Sequence, residues 1–255
     1  MPTALVTGGT SGIGAAFARQ LAARGDDLVL VARDAARLET SAATLRETYG
    51  VEVEVLPADL ADHDQVLRVA ARLTDPDRPV DLLVNNAGFG VHHRLTDPDP
   101  GPHEHAIDVM VTAVLVLGGA AGRSMRGRGH GAIVNVASTA GFMAMGSYSA
   151  IKAWAMTYSE SLANELTGTG VTVTALAPGW VRTEFHERAS ITTSSIPAPL
   201  WLEADALVAE CLADVARGKV VSIPSKRYRV LMWAVRHAPR SAVRAASRKL
   251  SSSRH

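Results

Sequence analysis

The chain has one cysteine, Cys211, in 255 residues. That excludes an internal disulfide and any metal centre built on thiolates. Cys211 lies in the helical pattern DALVAECLADVARG (205–218) and reads as a small apolar core residue. No apolar run reaches the roughly 18 residues that a bilayer-spanning helix needs. The longest uncharged stretch, 109–122, reads as a buried helix instead. MPTALVTGG runs directly into a first strand, so no secretory leader is expected and the cytoplasm is the expected compartment. A G-x-S-x-G nucleophile elbow is missing. The histidine pairs His92-His93 and His103-x-His105 have no carboxylate or cysteine at metal-ligand spacing, so no metal is expected. Internal repeats and low-complexity tracts are also missing. Acidic residues stop at Asp214.

What is present describes one α/β domain. Apolar residues make up 47% and charged residues 20%, an ordinary globular balance. Apolar runs at 3–7, 28–32, 52–56, 81–85, 131–137, 171–176 and 219–223 read as strands. Amphipathic stretches at 12–24, 35–49, 62–74, 103–122, 147–167 and 203–217 read as the helices between them. Near-continuous apolar strands alternating with helices predict a single doubly wound, Rossmann-like parallel sheet covered on both faces. Ligands of such sheets bind at the carboxyl ends of the strands, at the switch point. TDPDPGP (96–102) reads as a stiff loop within this domain.

Two constellations carry chemistry. The first is ALVTGGTSGIG (4–14), an apolar strand breaking into a glycine turn that opens a helix. Glycines let backbone approach a pyrophosphate, and a helix N-terminus offers N–H groups and positive dipole. The second is YSAIK (148–152), downstream of Ser138 at the end of GAIVNVAS (131–138). Tyr148 and Lys152 share one helix face. A tyrosine titrates near 10 in water, and a nearby ammonium lowers that value toward the working range. A serine hydroxyl beside the phenol can hold a substrate oxygen. These parts suit proton transfer to or from an alcohol or carbonyl oxygen.

TGGTSGIG, NNAG (85–88), Ser138, YSAIK and APG (177–179) stand in the order found in the short-chain dehydrogenase/reductase superfamily, which the chain resembles over about residues 3–224. The pattern is nearest to the hydroxysteroid and ketoacyl reductase branch. The resemblance implies a nicotinamide cofactor and hydride transfer between a carbonyl and an alcohol. Ser138, Tyr148 and Lys152 are then the catalytic residues. The cofactor residues are Gly8, Thr10, Ser11, Gly12, Ile13 and Gly14 at the turn, Asp59 and Leu60 at the adenine, and Asn86, Ala87 and Gly88 at the adenosine ribose. Pro178, Gly179, Val181 and Thr183 are implied at the nicotinamide carboxamide, with Tyr148 and Lys152 at its ribose. A homo-oligomer, dimer or tetramer, is also implied.

The second strand decides between cofactors. An NAD-preferring relative has an acidic residue at its end, whereas Ala32 stands there and Arg33 follows. A guanidinium favours a 2′-phosphate, so NADP is expected. Asp34 reads as the cap of the next helix. Met110 occupies the place where the superfamily has an asparagine that supports a water chain to the lysine. Backbone carbonyls or Thr112 can take over that water. Otherwise the chain is a lapsed enzyme acting as a nucleotide-binding regulatory or scaffold protein.

The substrate is expected to be a mainly apolar carbonyl or secondary alcohol. Phe185, Ile196, Leu200, Trp201 and Leu202 in the segment 180–206 can form an apolar wall, and Arg182 and Arg188 are its only arginines. Beyond it the charge balance inverts. Residues 1–214 carry 15 Lys and Arg against 25 acids, and residues 215–255 carry 11 and no acid. Residues 1–224 are therefore read as the NADP-binding catalytic domain and 225–255 as its basic C-terminal extension. With Trp233 among arginines, that extension suits an anionic membrane surface, or else a C-terminal helix packed on the acidic body or on a partner subunit. It is not expected to bind nucleic acid, because no recognition fold accompanies the charge. Every cofactor motif lies upstream of it, so it should be separable from nucleotide binding.

Overall fold

Short segments, buried on both faces except at the β3 edge, build the sheet. They are β1 (Thr3–Thr7), β2 (Asp27–Ala32), β3 (Val53–Pro57), β4 (Leu82–Asn85), β5 (Gly131–Val136) and β6 (Val171–Leu176). Two three-residue strands, β7 (Trp180–Arg182) and β8 (Trp201–Glu203), pair with each other in a separate parallel ribbon. β9 (Val221–Ser222) closes the main sheet, whose order is β3-β2-β1-β4-β5-β6-β9, parallel throughout. The structure, a computed structural model, describes residues 1–182 and 198–252.

The chain crosses from β3 at one edge back to β4 beside β1, which sets the switch point between β1 and β4. Alternate residues of each strand feed two cores. Ala4, Val6, Leu28, Leu30 and Val84 pack with α1 (Gly12–Ala22), α2 (Ala35–Tyr49) and α7 (Ala204–Ala216). Leu5, Val29, Val31, Leu83 and Ile133 pack on the other face. Their partners there are α3 (His63–Leu73), α5 (Ala113–Arg128) and α6 (Gly146–Glu165). Each fully buried leucine or valine contributes about 1.5–3 kcal/mol, so the sheet is held from both sides. Asp34 and Asp62 cap α2 and α3 by accepting from Arg37 N and from Asp64 N and Gln65 N.

The structure revises two sequence expectations. The helix expected over 103–122 runs from α4 (Gly101–Ile107) through a π turn (Asp108–Thr112) into α5, ending at Arg128. This run has the length and hydropathy of a membrane-crossing helix. Its apolar face is nevertheless core, because Ala106, Met110, Ala113, Leu117, Ala121 and Met125 are at most 1% exposed. The strand expected at 219–223 pairs with β6 only at Val221 and Ser222. It is anchored by Asp214, which is 2% exposed and accepts from Ser222 Oγ at 2.8 Å and pairs with Lys219 Nζ at 2.8 Å. Burial opposes the Asp214 carboxylate, but hydrogen bonds from Lys219, Arg217 and Ser222 prevail and hold its pKa below the ordinary value.

The basic extension folds into α8 (Lys226–His237) and α9 (Arg240–Ser252), and it packs onto the domain. Tyr228, Met232 and Val243 are buried, at 4%, 4% and 7% exposure.

Candidate active site

The switch point is fastened by one hydroxyl and one amide. Thr7 Oγ1 donates to Val84 O at 3.3 Å and accepts from Asn86 N at 2.9 Å and Ala87 N at 3.0 Å. The Asn86 side chain donates to Thr7 O at 2.9 Å and Gly8 O at 3.2 Å. The turn after β1 is thereby tied to the NNAG segment after β4. Gly8 takes φ of 65°, a region that disfavours side chains, and its N–H donates to Val31 O at 2.7 Å. A Cβ on Gly14 would overlap the Gly8 carbonyl oxygen, so only glycine lets α1 start this close to the turn. Ser11 stands at the N-cap and makes no side-chain cap bond. The first-turn N–H groups of α1 have no partner within the helix and face the turn's approach. This cradle fits a diphosphate.

The remaining expected cofactor residues lie along the same edge. Thr10, Ser11, Gly12 and Ile13 are half-buried in and after the turn. Arg33 is exposed at the end of β2, next to the capping Asp34, whose carboxylate is engaged with Arg37 N at 3.0 Å. Asp59 accepts from Ala61 N at 3.0 Å, and its own N–H donates to Gln65 Oε1 at 2.9 Å, which fixes the loop that carries the buried Leu60. Thr183, Phe185 and Ile196 lie outside the described residues.

Ser138 and the YSAIK helix meet at the end of β5. Ser138 is the extended N-cap of a 3-10 turn (Thr139–Phe142) that packs along α6. Its Oγ accepts from Ala140 N at 3.1 Å, which leaves the hydroxyl hydrogen to donate elsewhere. Tyr148 is half-buried in the first turn of α6. Lys152, one turn on, is 6% exposed, with Nζ 5.7 Å from the Tyr148 ring centroid. That Nζ donates to Val136 O at 2.8 Å. Burial pushes the Lys152 pKa down from 10.5 to about 8.

Met110 stands where the resemblance leads one to expect an asparagine. It lies on the π turn and is 1% exposed. A Cβ on Gly88 would lie 3.0 Å from its sulfur and 3.6 Å from Lys152 Nζ, so thioether, Gly88 and ammonium share one small space. The Lys152 ammonium is bound directly by a backbone carbonyl, Val136 O.

Three contacts were not legible in the motifs. His103 bridges Ser147 Oγ, at 2.8 Å, and Arg94 O, at 3.0 Å, tying the loop after β4 to the residue before Tyr148. No group of three His, Cys, Asp or Glu suited to a metal occurs among the described residues. The Pro178 carbonyl accepts from Thr139 N at 2.9 Å and Thr139 Oγ1 at 3.1 Å, joining the APG segment to the Ser138 turn. Tyr228 of α8 reaches Trp180 N at 3.0 Å and Leu200 O at 2.7 Å. A tyrosine in a basic helix gives no sign of this; only the i, i+4 spacing of Tyr228 and Met232 marks the buried face.

Comparison with known proteins agrees with this fold. The family model for short chain dehydrogenase matches residues 2–193. A curated relative, 2-dehydro-3-deoxy-D-gluconate 5-dehydrogenase of Bacillus subtilis, is 31% identical over 87% of this chain and 92% of its own. A solved short-chain dehydrogenase from Sphingobium yanoikuyae in complex with NADPH superposes with a TM-score of 0.84. It is 38% identical, over 92% of this chain and 94% of that one. The bulky-bulky ketone specific alcohol dehydrogenase from Comamonas testosteroni superposes with a TM-score of 0.80, at 32% identity over 92% of each chain.

The buried ammonium sets a testable cost. Its folded pKa of about 8 lies below the unfolded 10.5. The unfolded chain therefore binds the proton more tightly, and the penalty is complete below pH 8 and gone above 10.5. Lys152→Met removes it but strands the Val136 carbonyl, which offsets about 1 kcal/mol. The variant should gain about 2 kcal/mol over wild type at pH 7, with the gap closing as pH rises above 8 and reversing sign before 10.5. Denaturant unfolding at several pH values measures it.

Proposed function

The chain belongs to the short-chain dehydrogenase family, and we propose that it interconverts a carbonyl and a secondary alcohol, with NADP as the hydride carrier, on a bulky and mainly apolar substrate. The observation that carries this reading is Tyr148 one helical turn from the buried Lys152, at the strand end that bears Ser138. When bound, the nicotinamide supplies or takes up the hydride. In the reducing direction the Tyr148 phenol donates its proton to the oxygen that becomes the alcohol. The Lys152 ammonium favours the resulting tyrosinate, and the Val136 carbonyl holds the ammonium in place. Ser138, its oxygen already engaged by Ala140 N, donates its hydroxyl hydrogen to the substrate oxygen. The glycine turn and the first turn of α1 take the diphosphate.

Arg33 supports NADP over NAD, since it stands exposed at the strand end where a carboxylate would repel the 2′-phosphate. The NADPH complex of the Sphingobium relative is consistent with that choice. For the substrate, the Comamonas enzyme's ketones point to bulk. Arg182 is the one cation among the described residues of 180–206. It is paired with Glu203 at 3.1 Å and laid over the Trp201 ring at 5.6 Å. The wall therefore presents tryptophans rather than a charge that would hold an acid.

The outer face of α8 extends the reading to a partner. Val230, Leu231 and Trp233 are 69%, 44% and 63% exposed, amid exposed Lys226, Arg227 and Arg236. An apolar strip with cationic flanks suits the headgroup region of an anionic bilayer.

Three outcomes follow. Tyr148→Phe should lower kcat at least about 10²-fold, the loss typical of a missing general acid, while leaving NADPH affinity nearly intact. Activity within a few-fold of wild type on a ketone panel would end that assignment. Arg33→Ala should weaken NADPH about ten- to hundredfold and spare NADH, by calorimetric titration; equal losses would refute the 2′-phosphate contact. Full-length protein should cosediment with anionic but not neutral vesicles, less so at high salt, and Trp233→Ser should weaken the association. Indifference to anionic lipid at low salt would remove the membrane from the account.

A further inference from the structure

We propose that Tyr228, in the C-terminal extension, is a positioning residue for the nicotinamide end of the site. The proposal rests on the cofactor reading above. Three facts converge on one phenol. Its ring lies against Gly179, where any Cβ would overlap it. Its oxygen accepts from Trp180 N at 3.0 Å and donates to Leu200 O at 2.7 Å. The residue is 4% exposed. A single side chain thus joins the segment 178–180 to the residue that enters β8.

The consequences reach the chemistry in two steps. The Pro178 carbonyl, one residue before Gly179, holds Thr139 through both N–H and hydroxyl, and Thr139 follows Ser138. Tyr228 therefore fixes the backbone that faces the nicotinamide and, through Pro178, the turn that aims Ser138. The second helix supports the same turn from its far side. Ser247 Oγ, 1% exposed, accepts from Ala144 N at 3.0 Å and donates to Val243 O at 2.8 Å. Arg236 lies 5.9 Å over the Phe142 ring. The segment between Ser138 and Tyr148 is held by the extension at Phe142 and at Ala144. No other side chain replaces Tyr228 here. Phenylalanine has no oxygen, tryptophan cannot accept, and histidine does not carry donor and acceptor on one atom at that reach.

On this proposal the extension is not separable from nucleotide binding. Removing it would take away the acceptor of Trp180 N and the ring behind Gly179. Among the described residues, the hydrogen bonds of the phosphate cradle at the turn after β1 run to β2 and the NNAG segment rather than to either helix, so the two halves of the cofactor should respond differently. That difference separates a positioning role from general destabilisation.

The test uses the full chain carrying Tyr228→Phe, which keeps the ring against Gly179 and removes only the oxygen. Hydrogen exchange, followed by mass spectrometry on peptides spanning 179–182, should accelerate at the Trp180 amide. NADPH should bind about tenfold more weakly, the scale of one lost buried hydrogen bond. Adenosine 2′,5′-bisphosphate, which probes only the adenosine half, should bind within about twofold of wild type, inside the span of a surface-level change. Tyr228→Ala should extend the NADPH loss further in the same direction. Unchanged Trp180 exchange, or equal weakening of NADPH and the bisphosphate, would overturn the proposal. Wild-type protein that binds neither nucleotide would instead count against the cofactor reading, and the positioning role would fall with it.

Discussion

Where β1 and β4 end, the chain must hold two backbones apart to admit a ligand and yet keep them in register. Thr7 does this with one hydroxyl. Its oxygen takes two backbone N–H groups from the NNAG segment and returns its hydrogen to the Val84 carbonyl, while the Asn86 amide closes the loop onto Thr7 and Gly8. These bonds lie at the carboxyl edge of a sheet buried on both faces, where backbone groups without partners are costly. With that fastening, the glycine turn has a fixed wall opposite it. Gly88 is then fixed as well, and with it the packing of Met110 and the space around Lys152.

Lys152 shows how site and stability oppose each other. A lysine almost fully withdrawn from water is pushed toward its neutral form, yet the proposed chemistry needs its ammonium beside a phenol. A single carbonyl, Val136 O, faces it from β5, and the thioether of Met110 fills space that a polar side chain could have used to favour the charge. A folded pKa near 8 leaves the group mostly charged at neutral pH, but with a smaller margin than an exposed lysine has. The same desolvation strengthens its field at Tyr148, because little water screens the pair. Departure from the asparagine pattern thus moves the balance of the site without removing a reacting group.

The parts of the fold that could be read in advance are those decided by local pattern. The expected spans for β1, β6 and α2 coincide with the structure residue for residue, since continuous apolar runs and a capped amphipathic helix have few alternatives. Ser138, Tyr148, Lys152 and the glycine turn were legible because a motif carries them. What escaped depends on tertiary partners. The π turn at Met110 leaves no compositional mark. β9 shrank to two residues because only Val221 and Ser222 meet β6. His103 and Tyr228 owe their places to residues more than forty positions away, at Ser147 and Trp180.

The extension shows why charge alone misleads. Counted along the sequence, residues 215–255 are a cationic block without a single acid, which invites a picture of a tail reaching outward. In space its charges divide. Arg229 turns inward to Glu210 at 3.1 Å, and the N–H of Ser225 binds the same carboxylate at 2.9 Å, so the start of α8 is seated on α7. Arg217 pairs with Asp214, Arg227 bonds the Pro199 carbonyl and Arg236 lies over the Phe142 ring, while Val230 and Trp233 stay exposed. A helix so placed has two surfaces with different work, one backing Gly179 and one facing outward. An anionic surface that engages the outer face would load the same rigid element that holds Trp180. The physical link between them is one helix turn, with Tyr228 and Val230 two residues apart on opposing sides of α8.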